Sequence, residues 1–422
     1  MGFSGTFTRW WFRRSSSCPS SDVMTPSVND IVNETIRTSY GRLLAILASE
    51  SHDVMSAEDA LSEAVEQALI SWHSTIPSNP PAWLLTVARR RMVDVSRRAV
   101  RRPDRYELHD VHALSETDVS DIPDERLRLL FVCAHPSIAA PMRTALMLQC
   151  VLGLSAETTA SAMLVSPATM SQRLVRVKAK IRDAGISFDV PPKELLSERL
   201  QYVLDAIYAV FTSGMDVVVD DRVTDDLATE ALYLSRLLTE FLPMDGDVWA
   251  LHSLMLSSHG RKPARVSVDG TYVPLHQQDF RLWNADVLDE AEHALRQATL
   301  YGARSRYMIE AMISSAHSSR RIGHQTPWPL IVEMYHQLIH LYPSVGAQIA
   351  RAVAIGECRG YEEGLTELLS IPQDLVRQHQ PYWAALYILG KGILTDEETE
   401  HAKSLAIGLS SNPAIRAFFQ SV

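Results

Sequence analysis

The chain has 422 residues, 46% of them apolar, and a formal net charge of −10. That length divides into two to four domains, no apolar run approaches the ~20 residues that span a bilayer, and the four cysteines (Cys18, Cys133, Cys150, Cys358) lack disulfide or metal-ligand spacing, which suits a reducing cytoplasm. Residues 190–422 hold the acidic excess, with 19 Lys+Arg against 29 Asp+Glu; residues 1–189 carry 21 of each, sorted into a basic run from Arg89 to Arg105 and an acidic run from Glu107 to Glu125. The acidic total therefore does not exclude a polyanionic partner.

Residues 1–23 are rich in Ser and Arg, contain Trp10-Trp11-Phe12 and lack the apolar core of a secretory signal. The opening Met-Gly-Phe-Ser-Gly-Thr6 fits a myristoylation pattern only formally. A disordered leader over residues 1–27, or translation beginning at Met24, is the simpler reading. Ile31, Ile36, Leu43, Leu44 and Leu47 then repeat at helical spacing. A second helix is expected from Ser56, where Ser56-Ala-Glu-Asp59 resembles a capping box, to Trp72. It presents Glu58, Asp59, Glu63 and Glu66 as an acidic face. The proline-rich stretch His73–Pro81 must be a loop. A third helix over residues 82–98 has Trp83, Leu84, Val87 and Val95 as its apolar face and arginines elsewhere. Trp83 is read as core rather than as a stacking platform.

Residues 99–123 lack periodicity and are read as an extended linker. Helices resume at residues 124–131 and 141–148. From Gly153 to Arg182 the pattern is a helix, a turn at Leu164-Val-Ser166, and a second helix with Pro167 in its first position. Met170, Leu174, Val177 and Ile181 form the buried face of that helix, and Arg173, Arg176, Lys178, Lys180 and Arg182 are expected to leave a cationic exposed surface. This is the pattern of a helix-turn-helix whose second helix enters a DNA major groove. Gly185 and Pro191-Pro192 close this domain.

The remaining residues, 189–422, read as helical throughout. Leu237–Pro243, Leu338–Pro343 and Leu405–Pro413 each end a helix near a proline, and Tyr382–Gly390 resembles the start of a tetratricopeptide repeat. Stacked helical repeats bind peptides or partner proteins.

Together these motifs resemble a bacterial extracytoplasmic-function sigma factor, a sigma-70 family subunit of RNA polymerase, of the subgroup with a C-terminal tetratricopeptide-like extension. The resemblance rests on Ser39-Tyr-Gly-Arg-Leu-Leu44, Ala57-Glu-Asp-Ala-Leu61, Pro81-Ala-Trp-Leu-Leu-Thr-Val-Ala-Arg89, Asp124-Glu-Arg-Leu-Arg-Leu-Leu-Phe131, Ala168-Thr-Met-Ser-Gln-Arg-Leu-Val-Arg176 and Lys180-Ile-Arg-Asp-Ala-Gly-Ile186. In the extension, Arg261-Lys-Pro-Ala-Arg265 and Leu275-His-Gln-Gln-Asp-Phe-Arg-Leu-Trp283 contribute.

The resemblance implies an all-α chain. Residues 28–100 would form sigma region 2, binding core polymerase through Glu58, Asp59, Glu63 and Glu66. The −10 element, opened to a non-template single strand, would meet His73, Ser74, Asn79, Arg89, Arg90, Arg91, Arg97 and Arg98. Residues 101–121 would be an acidic flexible linker. Residues 122–188 would be region 4, reading the double-stranded −35 element with Ser166, Thr169, Ser171, Gln172 and Arg173, while Arg176 and Lys180 grip phosphates. Residues 189–422 would form a regulatory domain with its own protein partner. No membrane, cofactor or metal is implied, and the protein would be cytoplasmic. Arg90, Thr159, Phe211-Thr-Ser-Gly-Met215 and Phe280 depart from the usual pattern.

A repressor or activator with a ligand-sensing domain would share the helix-turn-helix, but it has no use for the Ala57–Leu61 and Trp83–Arg89 modules. An enzyme is not indicated: the histidines lie in unrelated contexts, and no phosphate loop, HExxH or nucleophile elbow occurs. His336 and His340, four apart, and Cys133 with His135 read as packed or surface groups rather than metal ligands.

Overall fold

A computed structural model describes residues 28–51, 53–73, 75–100, 124–151, 153–154, 156–162, 165–183, 193–215 and 222–422. The expected leader and acidic linker lie outside these residues. Among the described residues the regular structure is helical, apart from an isolated antiparallel bridge between Val266 and Tyr272.

Three helices open the chain: α1 (Val28–Ser51), α2 (Val54–Ser71) and α3 (Pro80–Val100). The expected capping box at Ser56 is not used. Asp53, in extended conformation, caps α2 by accepting from the Met55 N–H at 2.9 Å, and Ser56 Oγ donates to its other oxygen at 2.6 Å. A carboxylate one turn earlier reaches the unpaired N–H groups first, so the helix starts there. Leu43, Leu44 and Leu47 of α1, Ala57, Leu61, Ala64 and Ala68 of α2, and Leu84 and Ala88 of α3 are buried. Trp72 is buried too, and Trp83 meets it edge-on with ring centroids 5.5 Å apart. Val95, expected in this core, is 57% exposed. Burial on the described part of α3 stops at Ala88.

Four shorter helices follow: α4 (Glu125–Cys133), α5 (Ala140–Cys150), α6 (Ala156–Ala162) and α7 (Pro167–Asp183). Asp124 caps α4 through the Arg126 N–H at 2.7 Å. α4 packs against α1, and α7 against α2, α5 and α6. The first three helices and these four therefore belong to one compact unit, which runs to Val210. That unit takes in most of α8 (Lys193–Met215). Arg199 donates to the Phe131 carbonyl at 3.0 Å, and the Arg143 guanidinium lies 4.2 Å from the centroid of the Tyr202 ring.

The second unit spans Phe211–Val422. Its main helices are α9 (Arg222–Phe241), α10 (Gly246–Gly260), α11 (Ala285–Leu300), α12 (Arg306–Ser318), α13 (Trp328–Leu341), α14 (Val345–Arg359), α15 (Tyr361–Leu369), α16 (Gln373–Val376), α17 (Gln380–Gly390), α18 (Asp396–Gly408) and α19 (Pro413–Ser421). Packing is mostly between neighbours in sequence, the arrangement of a stacked helical array. The crossing of α14 and α15 is set by glycine: a Cβ on Gly364 would lie 2.7 Å from Gly356 Cα, closer than a side chain allows. An irregular segment from Arg261 to Asn284 interrupts the array. It is pinned by Arg261 to Ser314 and Ser318 of α12, by Arg320 to the Leu275 and Gln278 carbonyls, and by the Tyr272 N–H to the Ala414 carbonyl of α19 at 3.2 Å.

His252 on α10 is 4% exposed, and its Nδ1 shares a 2.8 Å hydrogen bond with Ser235 Oγ of α9. Burial, with help from Arg236, lowers its pKa to about 4, so the ring is neutral at pH 7 and its 3.9 Å approach to Glu290 is not an ion pair. The folded pKa lies below the unfolded value, so the unfolded chain takes up the proton first as pH falls. Stability present above pH 6.5 is then lost down to about pH 4. In calorimetry of the full chain, the melting temperature should fall across this window, and His252→Gln should flatten the fall. Equal slopes in the two proteins would refute the assignment.

Candidate nucleic-acid interface

Helix α7 has two sides. Thr169, Gln172, Arg173, Arg176 and Lys180 recur at three- and four-residue steps and share one face. Gln172, Arg173 and Arg176 are exposed, with no side-chain partner among the described residues; Ser171 is half-buried beside them. Arg173 and Arg176 thus offer planar donors to solvent, the groups that make bidentate contacts with bases or grip phosphates.

Three of the expected contacts are already engaged. Ser166 Oγ accepts from the Thr169 N–H at 3.3 Å and lies 2.8 Å from the Thr169 hydroxyl. Both residues therefore serve the start of α7 as well as any groove they face. Lys180 Nζ donates to the Ser137 carbonyl at 3.0 Å. Arg182 pairs with Asp183 at 3.2 Å.

Lys178 overturns the expectation of a cationic exposed surface. Its side chain is 7% exposed and pairs with Glu58 of α2, whose side chain is 24% exposed. Burial alone would lower the Lys178 pKa, but groups around it, Glu58 foremost by geometry, hold it above the ordinary lysine value. The other Glu58 oxygen faces the Tyr40 hydroxyl at 3.5 Å, and burial followed by the Glu58 charge raises the Tyr40 pKa. Glu58 is thus turned inward and does not stand on the free acidic face. Asp59, Glu63 and Glu66, one turn apart, are exposed. Burial, then Glu58 and Asp53, raises the Asp59 pKa. The sequence did carry a signal for the pair. Lys178 sits four residues after buried Leu174 and three before buried Ile181, and Glu58 sits three before buried Leu61. Each therefore falls on the apolar stripe of its helix.

On α3, Arg89 makes a two-toothed contact with Glu50 of α1, which raises its pKa. Arg91 pairs with Glu63 at 3.4 Å, and Arg90 is exposed. Such exposed pairs are worth at most about 1 kcal/mol each and can be exchanged for phosphate. In the loop before α3, His73 is exposed, while Asn79 caps α3 by accepting from the Ala82 N–H at 3.1 Å. Ser74 and the side chains of Arg97 and Arg98 lie outside the described residues.

Cys133 and Cys150 are buried free thiols; burial pushes the Cys150 pKa up to about 12. His135 Nδ1 accepts from the Ser137 N–H at 3.2 Å. Both His336 and His340 are exposed on α13. No described helix is long and apolar enough to cross a membrane.

Comparison with known proteins finds a match to sigma-70 region 2 over residues 35–102, which covers nearly all of α1–α3. A family of unknown function, DUF6596, matches residues 199–299, beginning within α8. The uncharacterized protein R00370 of Rhizobium meliloti (strain 1021) is 37% identical over 319 residues, 73% of this chain and 75% of that protein. The two chains belong to one family. No solved structure matches.

Thr159, where an aliphatic residue is usual, is fully buried in α6, and its hydroxyl has no partner among the described residues. An unsatisfied buried hydroxyl costs about 1–3 kcal/mol. Thr159→Val should therefore raise the stability of the first unit by about 1 kcal/mol in chemical denaturation. An unchanged or lower midpoint would mean that water satisfies the group.

Proposed function

We propose that this chain, which belongs to the sigma-70 family, is a sigma factor of the extracytoplasmic-function type that brings core RNA polymerase to promoters and begins transcription. The observation that carries the reading is the sigma-70 region 2 match on the α1–α3 bundle. Region 2 implies binding to core polymerase and promoter DNA. Asp59, Glu63 and Glu66 would meet a basic polymerase surface, Arg89 and Arg91 would exchange carboxylates for the phosphates of the opened −10 strand, and Arg90 would meet those phosphates directly. Extruding a base costs a few kcal/mol, part of which a pocket near His73 would return.

The α6–α7 pair would read the −35 element through Gln172 and Arg173, with Arg176 on phosphate. Support for this comes from the shared exposed face of those residues on a helix preceded by a turn. Residues 211–422 would modulate this activity, with their acidic charge acting on the basic faces or recruiting a protein partner. The chain would work in the cytoplasm without catalysis of its own.

Two experiments test the reading. Asp59→Arg with Glu63→Arg should lose most capture by core polymerase in a pull-down, and undiminished capture would remove the acidic face from the interface. With holoenzyme on a promoter library, Arg173→Ala should relax the −35 preference by about 1–3 kcal/mol per lost base contact. Arg176→Ala should weaken all sequences alike and make the salt dependence shallower. Identical loss across the library for both variants would place neither residue in the groove.

A further inference from the structure

We propose that the turn Arg261-Lys-Pro-Ala-Arg265, together with Tyr335 of α13, forms a binding site in the second unit for a small, doubly charged oxoanion of the phosphate class. The proposal does not depend on the sigma-factor reading. It assigns a ligand to a part of the chain that promoter recognition does not use.

The first observation is an arginine edge without an acid. In Arg89, Arg126 and Arg281 the Nε–Nη2 edge of the guanidinium grips a carboxylate, that of Glu50, Asp124 and Asp279 respectively. Arg261, half-buried after the last turn of α10, uses Nη1 alone. That nitrogen donates to the Ser314 carbonyl at 3.3 Å and to the Ser314 and Ser318 hydroxyls at 2.9 and 3.2 Å. Its Nε–Nη2 edge has no partner among the described residues. This edge is the fork that matches two oxygens of a carboxylate or phosphate, and partial burial makes the missing anion costly.

The second observation is the company Arg261 keeps. A tight turn, closed by the Ala264 N–H on the Arg261 carbonyl and the Arg265 N–H on the Lys262 carbonyl, both at 3.1 Å, sets Arg265 one turn away. The Arg265 side chain is half-buried and has no partner among the described residues. Burial, then this second cation, lowers the Arg261 pKa to about 10, so both are charged at pH 7. The field reaches α12 as well: burial, then Arg261 and Arg320, lowers the His317 pKa to about 4. Arg320 is held by the carbonyls of Leu275 and Gln278, which leave its charge unneutralised. The third observation is Tyr335, half-buried, whose hydroxyl has no partner among the described residues. Burial, then Glu310, pushes its pKa up to about 12 against the pull of Arg261, so it keeps its proton to donate. Glu310 is itself paired with Arg306 at 3.7 Å. A single carboxylate would fill the Arg261 fork and leave Arg265 without a counter-charge. A tetrahedral dianion fills the fork and has oxygens and charge left for Arg265 and the Tyr335 hydroxyl.

Isothermal titration calorimetry of the full chain, at ionic strength held constant with sodium chloride, tests the site with inorganic phosphate as the probe. One phosphate should bind per chain with a dissociation constant of about 1 mM or lower. Arg261→Met should lose that binding, and Arg261→Lys, which keeps the charge but not the fork, should weaken it on the order of tenfold. Arg261 also anchors the segment to α12, so Arg265→Gln and Tyr335→Phe provide variants that break no hydrogen bond seen among the described residues. Each should weaken phosphate by about threefold to tenfold, the loss of one hydrogen bond. Phosphate should raise the melting temperature of the parent chain, and the rise should shrink in the same variants. Glycerol phosphate that binds as tightly as phosphate places the anion on a small metabolite, and glycerol phosphate that does not bind identifies the free ion; either supports the site. The proposal is overturned by the absence of saturable phosphate binding, by equal affinity in the parent, Arg265→Gln and Tyr335→Phe, or by malonate binding more tightly than phosphate. The sigma-factor reading stands or falls separately, since its tests use residues of the first unit.

Discussion

Taking a lysine and a glutamate out of water is costly unless they meet, and this requirement fixes how the first unit is assembled. Lys178 and Glu58 each occupy the apolar stripe of their own helix, so packing α7 on α2 buries both. The geometry has to bring ammonium and carboxylate together, with the Tyr40 hydroxyl near the second oxygen. Apolar residues around them supply the bulk of the stabilisation. The ion pair supplies the register: few alternative placements of α7 on α2 would satisfy both charges.

The same economy of charge runs through the exposed faces. Arg89 rests on Glu50, Arg91 on Glu63, and Lys180 on the Ser137 carbonyl. These are exposed pairs whose partners an anion could displace. Arg90, Arg173 and Arg176 stand exposed. A chain with a net charge of −10 can present such patches because its acidic excess belongs to a different part of the sequence.

Much of this could be read from the residues alone. Helical periodicity located α1–α3, α6 and α7, and Pro167 marked the start of α7 to the residue. The failures have common physical causes. Cap chemistry at α2 was decided by Asp53, one turn before the motif that looked like a cap. Val95 lies on the apolar stripe of α3 but is exposed. A lysine among four other cations looked solvated, although its spacing from Leu174 and Ile181 placed it inside. For Val95 and Lys178, local sequence indicated what the residue prefers, and the presence or lack of contacts with distant elements decided where it sits. The segment Arg261–Asn284 has no periodicity to read; its shape comes from contacts with α12 and α19, far along the chain.

That segment changes what kind of object the second unit is. A stack of helices joined only to their neighbours is an open series: it can fray from either end, and the loss of a terminal repeat leaves the others nearly as stable as before. Here Arg261 and Tyr272, just after α10, reach α12 and α19. The segment after α10 and the last helix are therefore tied across about 140 residues of intervening chain, a loop whose closure entropy grows only slowly with length. The series becomes a circuit. Damage to α19 should therefore be felt in the segment that follows α10, and the last helix should lose part of its freedom to fray.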